Sequence, residues 1–223
     1  RAVAVSLVDY LTGFRPNLAE LRTLADDALL VVDAAQGLGA VAQTLAPADV
    51  MVSTGVKWLR AGWDSGLLAV SPAALERLEP ALTGWFGVEG FLDFDVPVPH
   101  PARADAERLR EGAPSVVGAL ACAEAIDTIE VAGISVIEAE IRERVEALED
   151  VLRVAGAEIL EPWGDDVERA GILSFRLTTE PATDTAQRLA AAGLTVSRRM
   201  DWIRLSPHAT TDPDVAAALA EAL

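Results

Sequence analysis

Over the first part of the chain, apolar positions fall in short continuous runs separated by segments with a helical period. The runs at 3–8, 29–32, 50–53 and 66–70 read as strands, and 17–27 reads as a helix with Leu18, Leu21, Leu24 and Ala25 on one face. A further helix is predicted at 73–78, behind Pro72. Strands that are apolar throughout and spaced by helices describe a parallel sheet covered on both faces, an α/β layer.

After Leu82 the texture changes. Gly84-Trp85-Phe86-Gly87, Phe91-Leu92-Asp93-Phe94-Asp95 and the proline-rich Val96-Pro97-Val98-Pro99-His100-Pro101 have no helical period. A long irregular stretch inside a compact protein is usually functional or part of an interface. Two long helical patterns follow, at 115–131 and 135–155, broken at Ala132-Gly133. Strands are predicted at 158–160, 172–177, 195–197 and 203–205, with a helix at 184–192 and a last helix after Asp212-Pro213. That half is α+β. The expected organisation is a large α/β portion over 1–100 and a linker helix with a small α+β domain over 101–223.

Composition narrows the classes of function. The chain has 223 residues, 51% of them hydrophobic, and a mean hydropathy of +0.28, with no apolar run approaching the ~20 residues of a membrane-crossing helix. The balance of 35 acidic against 18 basic residues, a net charge of −17, argues against nucleic acid and anionic membrane partners. One cysteine, Cys122, and two histidines, His100 and His208, exclude an internal disulfide and a thiol-rich metal cluster, so no metal site is assigned and a reducing cytoplasm is expected. The chain opens on Arg1 rather than Met, directly in a strand-like run without a targeting segment, and reads as the later part of a longer protein.

Among the 18 basic residues, Lys57 is the lone lysine. Lysine differs from arginine in that its amine can lose a proton and attack a carbonyl. It follows the predicted strand at 50–53, in Thr54-Gly55-Val56-Lys57-Trp58, while the strand at 29–32 runs into Asp33-Ala34-Ala35-Gln36. In a parallel sheet both segments sit at the carboxyl edge, where α/β folds bind ligands. Two structural readings stand beside the chemical one: Asp33 capping a following helix, and a simple Asp33–Lys57 ion pair.

These residues carry a resemblance. Asp33-Ala34-Ala35-Gln36, then Ser53-Thr54-Gly55-Val56-Lys57-Trp58-Leu59 and a glycine-containing turn, resemble the cofactor motif of the class V aminotransferase family, which includes the cysteine desulfurases and kynureninase. Thr83-Gly84-Trp85-Phe86-Gly87 is similar to a kynureninase segment, and Glu111-Gly112-Ala113-Pro114-Ser115 to the family's Gly-Thr-Pro turn. Ile203-Arg204-Leu205-Ser206-Pro207-His208 is similar to its near-terminal segment. The resemblance implies a type I pyridoxal-phosphate transferase fold, pyridoxal 5′-phosphate as cofactor and a small amino acid as substrate. It implies Lys57 as the catalytic Schiff-base lysine, Asp33 on the pyridinium nitrogen and Gln36 at the phenolic oxygen. It further implies Trp85 near the partner subunit's cofactor in a homodimer, and Arg204 on the substrate carboxylate.

Lyase, aminotransferase and epimerase outcomes share these residues. The chain departs from the pattern at Val56, where many relatives carry a histidine or an aromatic, and at Ala113, where a hydroxyl or amide is usual. Thr54 and Ser115 are the candidates to supply the missing phosphate donors. The same departures keep open a degenerate cofactor-binding or interaction protein. Arg204 also reads as a surface arginine of an edge strand, and His208 as either a residue of the substrate mouth or a solvated loop histidine. His100 reads as an exposed loop residue and Cys122 as a small core residue, which disfavours a persulfide-forming desulfurase.

Overall fold

The computed structural model describes residues 1–95, 99–161 and 169–223. The proline-rich Val96-Pro97-Val98 therefore lies outside the described residues. The chain divides into two compact units that interleave in sequence, the first holding 1–5, 18–34 and 44–125, the second 6–17, 35–43 and 126–223.

The first unit is built on β1 (Ala2–Ser6), β2 (Leu29–Asp33), β3 (Val50–Thr54) and β4 (Gly66–Val70), in that spatial order. β2 and β3 are parallel, with Asp33 opposite Val52. β4 runs antiparallel to β3, with Thr54 opposite Gly66. The layer was expected to be mostly parallel, and β4 is its reversed strand: residues 55–65 contain no crossover helix, and a loop between adjacent strands returns the chain antiparallel. Leu29 and Val50 pack with Ala74 of α2 (Pro72–Arg77), and Val31, Val70 and Leu78 lie against them. Ser71 caps α2 by accepting a hydrogen bond from the Ala74 amide at 3.1 Å.

Helix α1 (Leu18–Ala25) buries Leu18 and Ala25, but Leu24 is 80% exposed rather than on the shared face. In two turns the inward stripe passes through 18, 21 and 25, which leaves position 24 to the side. The chain leaves the helix through Asp26 at φ 51°. Arg22 then ties the helix end to the sheet, donating to Asp26 O, Ala28 O and Asp49 Oδ2, while Asp49 Oδ2 also accepts from Leu30 N at 2.7 Å. A cation in the last turn is placed where free helix carbonyls favour it.

Helix α3 (Val116–Ala132) buries Gly118 and Cys122, as expected for the cysteine, and leaves Val116, Val117 and Leu120 exposed. It ends at Gly133, whose φ of 85° breaks the two helices at the position expected.

In the second unit α4 (Ile134–Val154) presents Ile141, Val145, Leu148 and Leu152 as a buried stripe. These pack with α6 (Val215–Ala222) and with a four-stranded sheet of order β5 (Glu158–Ile159), β6 (Leu173–Arg176), β8 (Trp202–Leu205), β7 (Ser197–Arg199). Every pairing in that sheet is antiparallel. Helix α5 (Ala182–Ala191) lies against β7 and β8 and buries Leu189. Phe175, Ile203 and Leu189 are fully buried and centre this core.

Candidate active site

Asp33 ends β2 and is exposed. No helix follows for it to cap, which removes that structural reading: residues 35–40 form a turn instead. Gly39 has φ 88°, a conformation that interrupts a right-handed helix. The Ala34 amide donates to Val52 O at 2.8 Å, so the end of β2 stays locked to β3. Strand β3 continues two residues past the Asp33 register to Thr54, placing Asp33 and Thr54 on one carboxyl-end rim.

The loop after Thr54 is held rigidly. Gly55 N donates to Ser65 O at 2.9 Å and Ala61 N to Gly55 O at 2.8 Å. A Cβ on Gly55 would stand 2.0 Å from Ser65 Oγ, so glycine is required for the close approach of the two loop ends. Ser65 Oγ itself donates to Gly62 O at 2.8 Å. Trp58, Leu59 and Ala61 are buried, whereas Lys57 is exposed. The loop is thus anchored by the residues after Lys57, and the one primary amine of a lysine side chain stands on the same rim as Asp33. Among the described residues Lys57 has no ion pair, so a structural Asp33–Lys57 bridge is not what holds it there.

The Glu111-Gly112-Ala113-Pro114-Ser115 turn packs onto that loop. Ser115 Oγ donates to Asp64 Oδ2 at 2.6 Å and accepts from Gly118 N at 3.0 Å, capping α3. Gly118 approaches so closely that a Cβ there would lie 2.5 Å from Asp64 O. Ser115 is committed to the loop and the helix, which removes it as a spare phosphate donor. The Ser115 hydrogen bond holds the Asp64 carboxyl below its usual pKa, against a small opposing effect of burial. A lowered carboxylate pKa stabilises the fold above the ordinary carboxylate range, and that stabilisation disappears as pH falls through the lowered value. Replacing Ser115 by alanine is expected to return the Asp64 titration toward an ordinary aspartate, followed by carboxyl NMR, and to cost about 1 kcal/mol through the lost cap.

Trp85 begins a short 3-10 turn, Trp85–Gly87, and is 53% exposed. Its ring meets Phe86, Phe91 and Phe94 at centroid distances of 5.7, 6.3 and 5.6 Å, and its Nε1 donates to Phe91 O. Residues 85–94 therefore hold an aromatic cluster, and beside it Val88 bridges Ala102 while Glu89 N donates to Pro101 O at 2.9 Å. His100 is half-buried in it, with Nε2 3.1 Å from Asp93 O, rather than exposed as expected.

The remaining candidates belong to the second unit. Gln36 is half-buried in the turn before Gly37, and a Cβ on Gly37 would lie 2.7 Å from Leu7 Cδ2. Arg204 sits in β8 between buried Ile203 and Leu205 and is half-buried on the opposite face. Its Nη1 donates to Tyr10 O at 2.9 Å, while its buried Nε meets no acceptor. Burial, and next the positive charge of Arg199, push its pKa down, while Tyr10 acts in the opposite direction. β8 is an inner strand of its sheet, paired with both β6 and β7, so the edge-strand reading of Arg204 is corrected. His208 Nδ1 lies 3.2 Å from Thr210 Oγ1. An apolar cavity of about 470 Å3 lined by Leu148, Leu194, Leu205, Val215 and Leu219 opens on the Leu205 face, away from Arg204.

A family model for class V aminotransferases matches residues 1–198. The chain belongs to that family. Class V aminotransferases are pyridoxal-phosphate proteins, and the donors on the first unit's rim, an amine, a carboxylate and a hydroxyl, suit that cofactor chemically. The match stops before Arg204, whose assignment comes from the resemblance of its segment to the family's near-terminal one.

Solved structures of this class V chain's fold include an apo cysteine desulfurase from Thermococcus onnurineus, at 24% identity and a TM-score of 0.88, covering 99% of this chain and 58% of that one. The Escherichia coli cysteine desulfurase CsdA is 22% identical with a TM-score of 0.84, covering 100% and 58%. A ureidoglycine-glyoxylate aminotransferase from Bacillus subtilis is 16% identical with a TM-score of 0.77, covering 100% and 60%. The chain thus spans about three fifths of these relatives' length, and at such identities the likeness is one of fold. No curated protein matches the chain. Among the described residues no helix is long and apolar enough to cross a membrane, and no group of His, Cys, Asp and Glu is arranged to hold a metal.

Proposed function

We propose that the chain is the later part of a pyridoxal-phosphate enzyme that acts on a small amino acid by lyase or aminotransferase chemistry. The observation that carries this reading is Lys57: an exposed amine on a loop anchored by buried neighbours, on the sheet rim that also bears Asp33. When bound, the cofactor supplies an aldehyde carbon and a ring able to take up negative charge.

Each residue then has a definable task. Lys57 Nζ is the atom that would hold the aldehyde carbon and, once released, would take the proton from the substrate Cα. Asp33 would keep a proton on the ring nitrogen, Gln36 would meet the phenolic oxygen, and Thr54 Oγ1 would face the phosphate. Arg204 brings a guanidinium with a buried, unmatched Nε, suited to a carboxylate. The division at residues 100 and 101 into cofactor-domain and small-domain portions, and a cytoplasmic location, go with this reading.

A screen of amino acids against the full-length protein, followed by cofactor absorbance and by analysis for keto acid, alanine or a cleaved side chain, tests it. Spectral change with product formation identifies the reaction type. A spectrum unmoved by every amine favours the second reading, a degenerate cofactor-binding or interaction protein, to which Ala113 and the committed Ser115 hydroxyl give support.

We further propose a homodimer. Trp63, Trp85, Leu92 and Phe94 are 89, 53, 68 and 76% exposed, and Val116, Val117 and Leu120 add an apolar strip in the same unit. So much exposed apolar surface is characteristic of an interaction site. Trp85→Ala is expected to weaken cofactor binding by about tenfold, if it removes one ring contact of about 1.4 kcal/mol, in a dimer of unchanged mass. A monomer that turns over substrate, seen by light scattering, would contradict the shared site.

A further inference from the structure

The sheet of the second unit has one buried face and one cationic face. Ile203 and Leu205 of β8 are buried, while Trp202 and Arg204 alternate with them. The register sets Arg199 opposite Trp202 and Ser197 opposite Arg204, so the two-residue repeat of a strand puts Arg199, Trp202 and Arg204 on one face. Arg176 shares that face through Ser174, which is opposite Arg204, but it is already engaged: both its Nε and Nη2 donate to Glu158, at 2.8 and 2.9 Å, and its guanidinium lies 4.7 Å from the Trp202 ring centre.

Arg199 and Arg204 are different. Among the described residues neither has a carboxylate partner; Arg199 Nη1 donates to Arg198 O at 3.0 Å and Arg204 Nη1 to Tyr10 O at 2.9 Å. Arg199 is close enough for its charge to act on Arg204. Two like charges, one of them half-buried with an unmatched Nε, are unfavourable without an anion between them. Their survival without a carboxylate is notable in a chain with 35 acidic residues, where a local positive site also concentrates anions.

We propose that Arg199 and Arg204 form a dianion site, so that the amino-acid substrate carries a second acidic group on its side chain. This rests on the function proposed above and names its substrate class. Arg204, half-buried, takes the α-carboxylate; Arg199, exposed, takes the side-chain carboxylate; Tyr10 borders the site through its contact with Arg204.

The test is calorimetric binding of glutarate and of valerate, five-carbon acids with two charges and one, to the full-length protein. Glutarate is expected to bind about tenfold more tightly, the value of one charge-assisted pair of about 1.4 kcal/mol. Arg199→Gln should erase that preference and leave valerate unchanged, whereas Arg204→Gln should weaken both and Arg204→Lys should restore part of the loss. Equal affinities in the unmodified protein, or a preference that survives Arg199→Gln, would overturn the proposal. The readout needs no turnover, so equal affinities for the two acids in the unsubstituted protein, with Lys57 carrying cofactor, overturn the dianion site alone.

Discussion

Lys57→Ala and Lys57→Arg are both expected to abolish turnover, with kcat falling by about 10⁴ or more, the scale seen when a covalent nucleophile is removed from other enzymes. Arginine preserves the charge but cannot give up its proton to become a nucleophile, so the two variants should fail alike. A purely electrostatic role predicts instead that Lys57→Arg retains activity. Neither change should disturb the fold, because Lys57 is exposed while the loop is held by Trp58, Leu59, Ala61 and the Gly55–Ser65 backbone contact. Unfolding midpoints within about 0.5 kcal/mol of the parent are the expected control.

The largest expected effect on stability comes from Gly84→Ala. A Cβ at that position would stand 2.0 Å from Glu111 O, 2.4 Å from Glu111 C and 2.7 Å from Arg110 O, all backbone atoms. Gly84 N also donates to Arg110 O at 3.0 Å, so the residue cannot back away without losing that bond. Relief therefore requires moving either the Trp85 loop or the turn that precedes α3. A cost of about 2–3 kcal/mol is expected from denaturant unfolding, at the upper end of ordinary overpacking. The Trp85 fluorescence environment should change with it. A Gly84→Ala protein of parental stability would show that the loop and the turn yield freely.

Much of the architecture was legible because strand runs and helix breaks have local causes. β4 lies at 66–70 as its apolar run indicates, and the break between α3 and α4 follows from Gly133. Direction was not legible: the antiparallel return of β4 depends on a loop whose backbone bonds, Gly55 to Ser65 and Ala61 to Gly55, leave no periodic signal. The exposure of Leu24 likewise depends on where α1 stops, one residue before Asp26 takes a positive φ.

For the candidate site, Lys57 and Asp33 were visible as a lone lysine and a strand-terminal carboxylate, and the structure sets their strands side by side. What stayed hidden was side-chain commitment. Ser115 reads in sequence as a spare hydroxyl, yet it is already bonded to Asp64 and to the start of α3. Arg199 drew no attention because a solvent-facing arginine has no motif; only the β7–β8 register shows that it shares a face with Arg204.

Attachment of the cofactor to Lys57 Nζ is tested most directly by borohydride reduction of the full-length protein incubated with pyridoxal 5′-phosphate, followed by peptide mass mapping. The expected result is a phosphopyridoxyl group on the peptide containing Lys57 and its absence in Lys57→Arg. An unmodified Lys57 peptide from the cofactor-treated, full-length protein would contradict it.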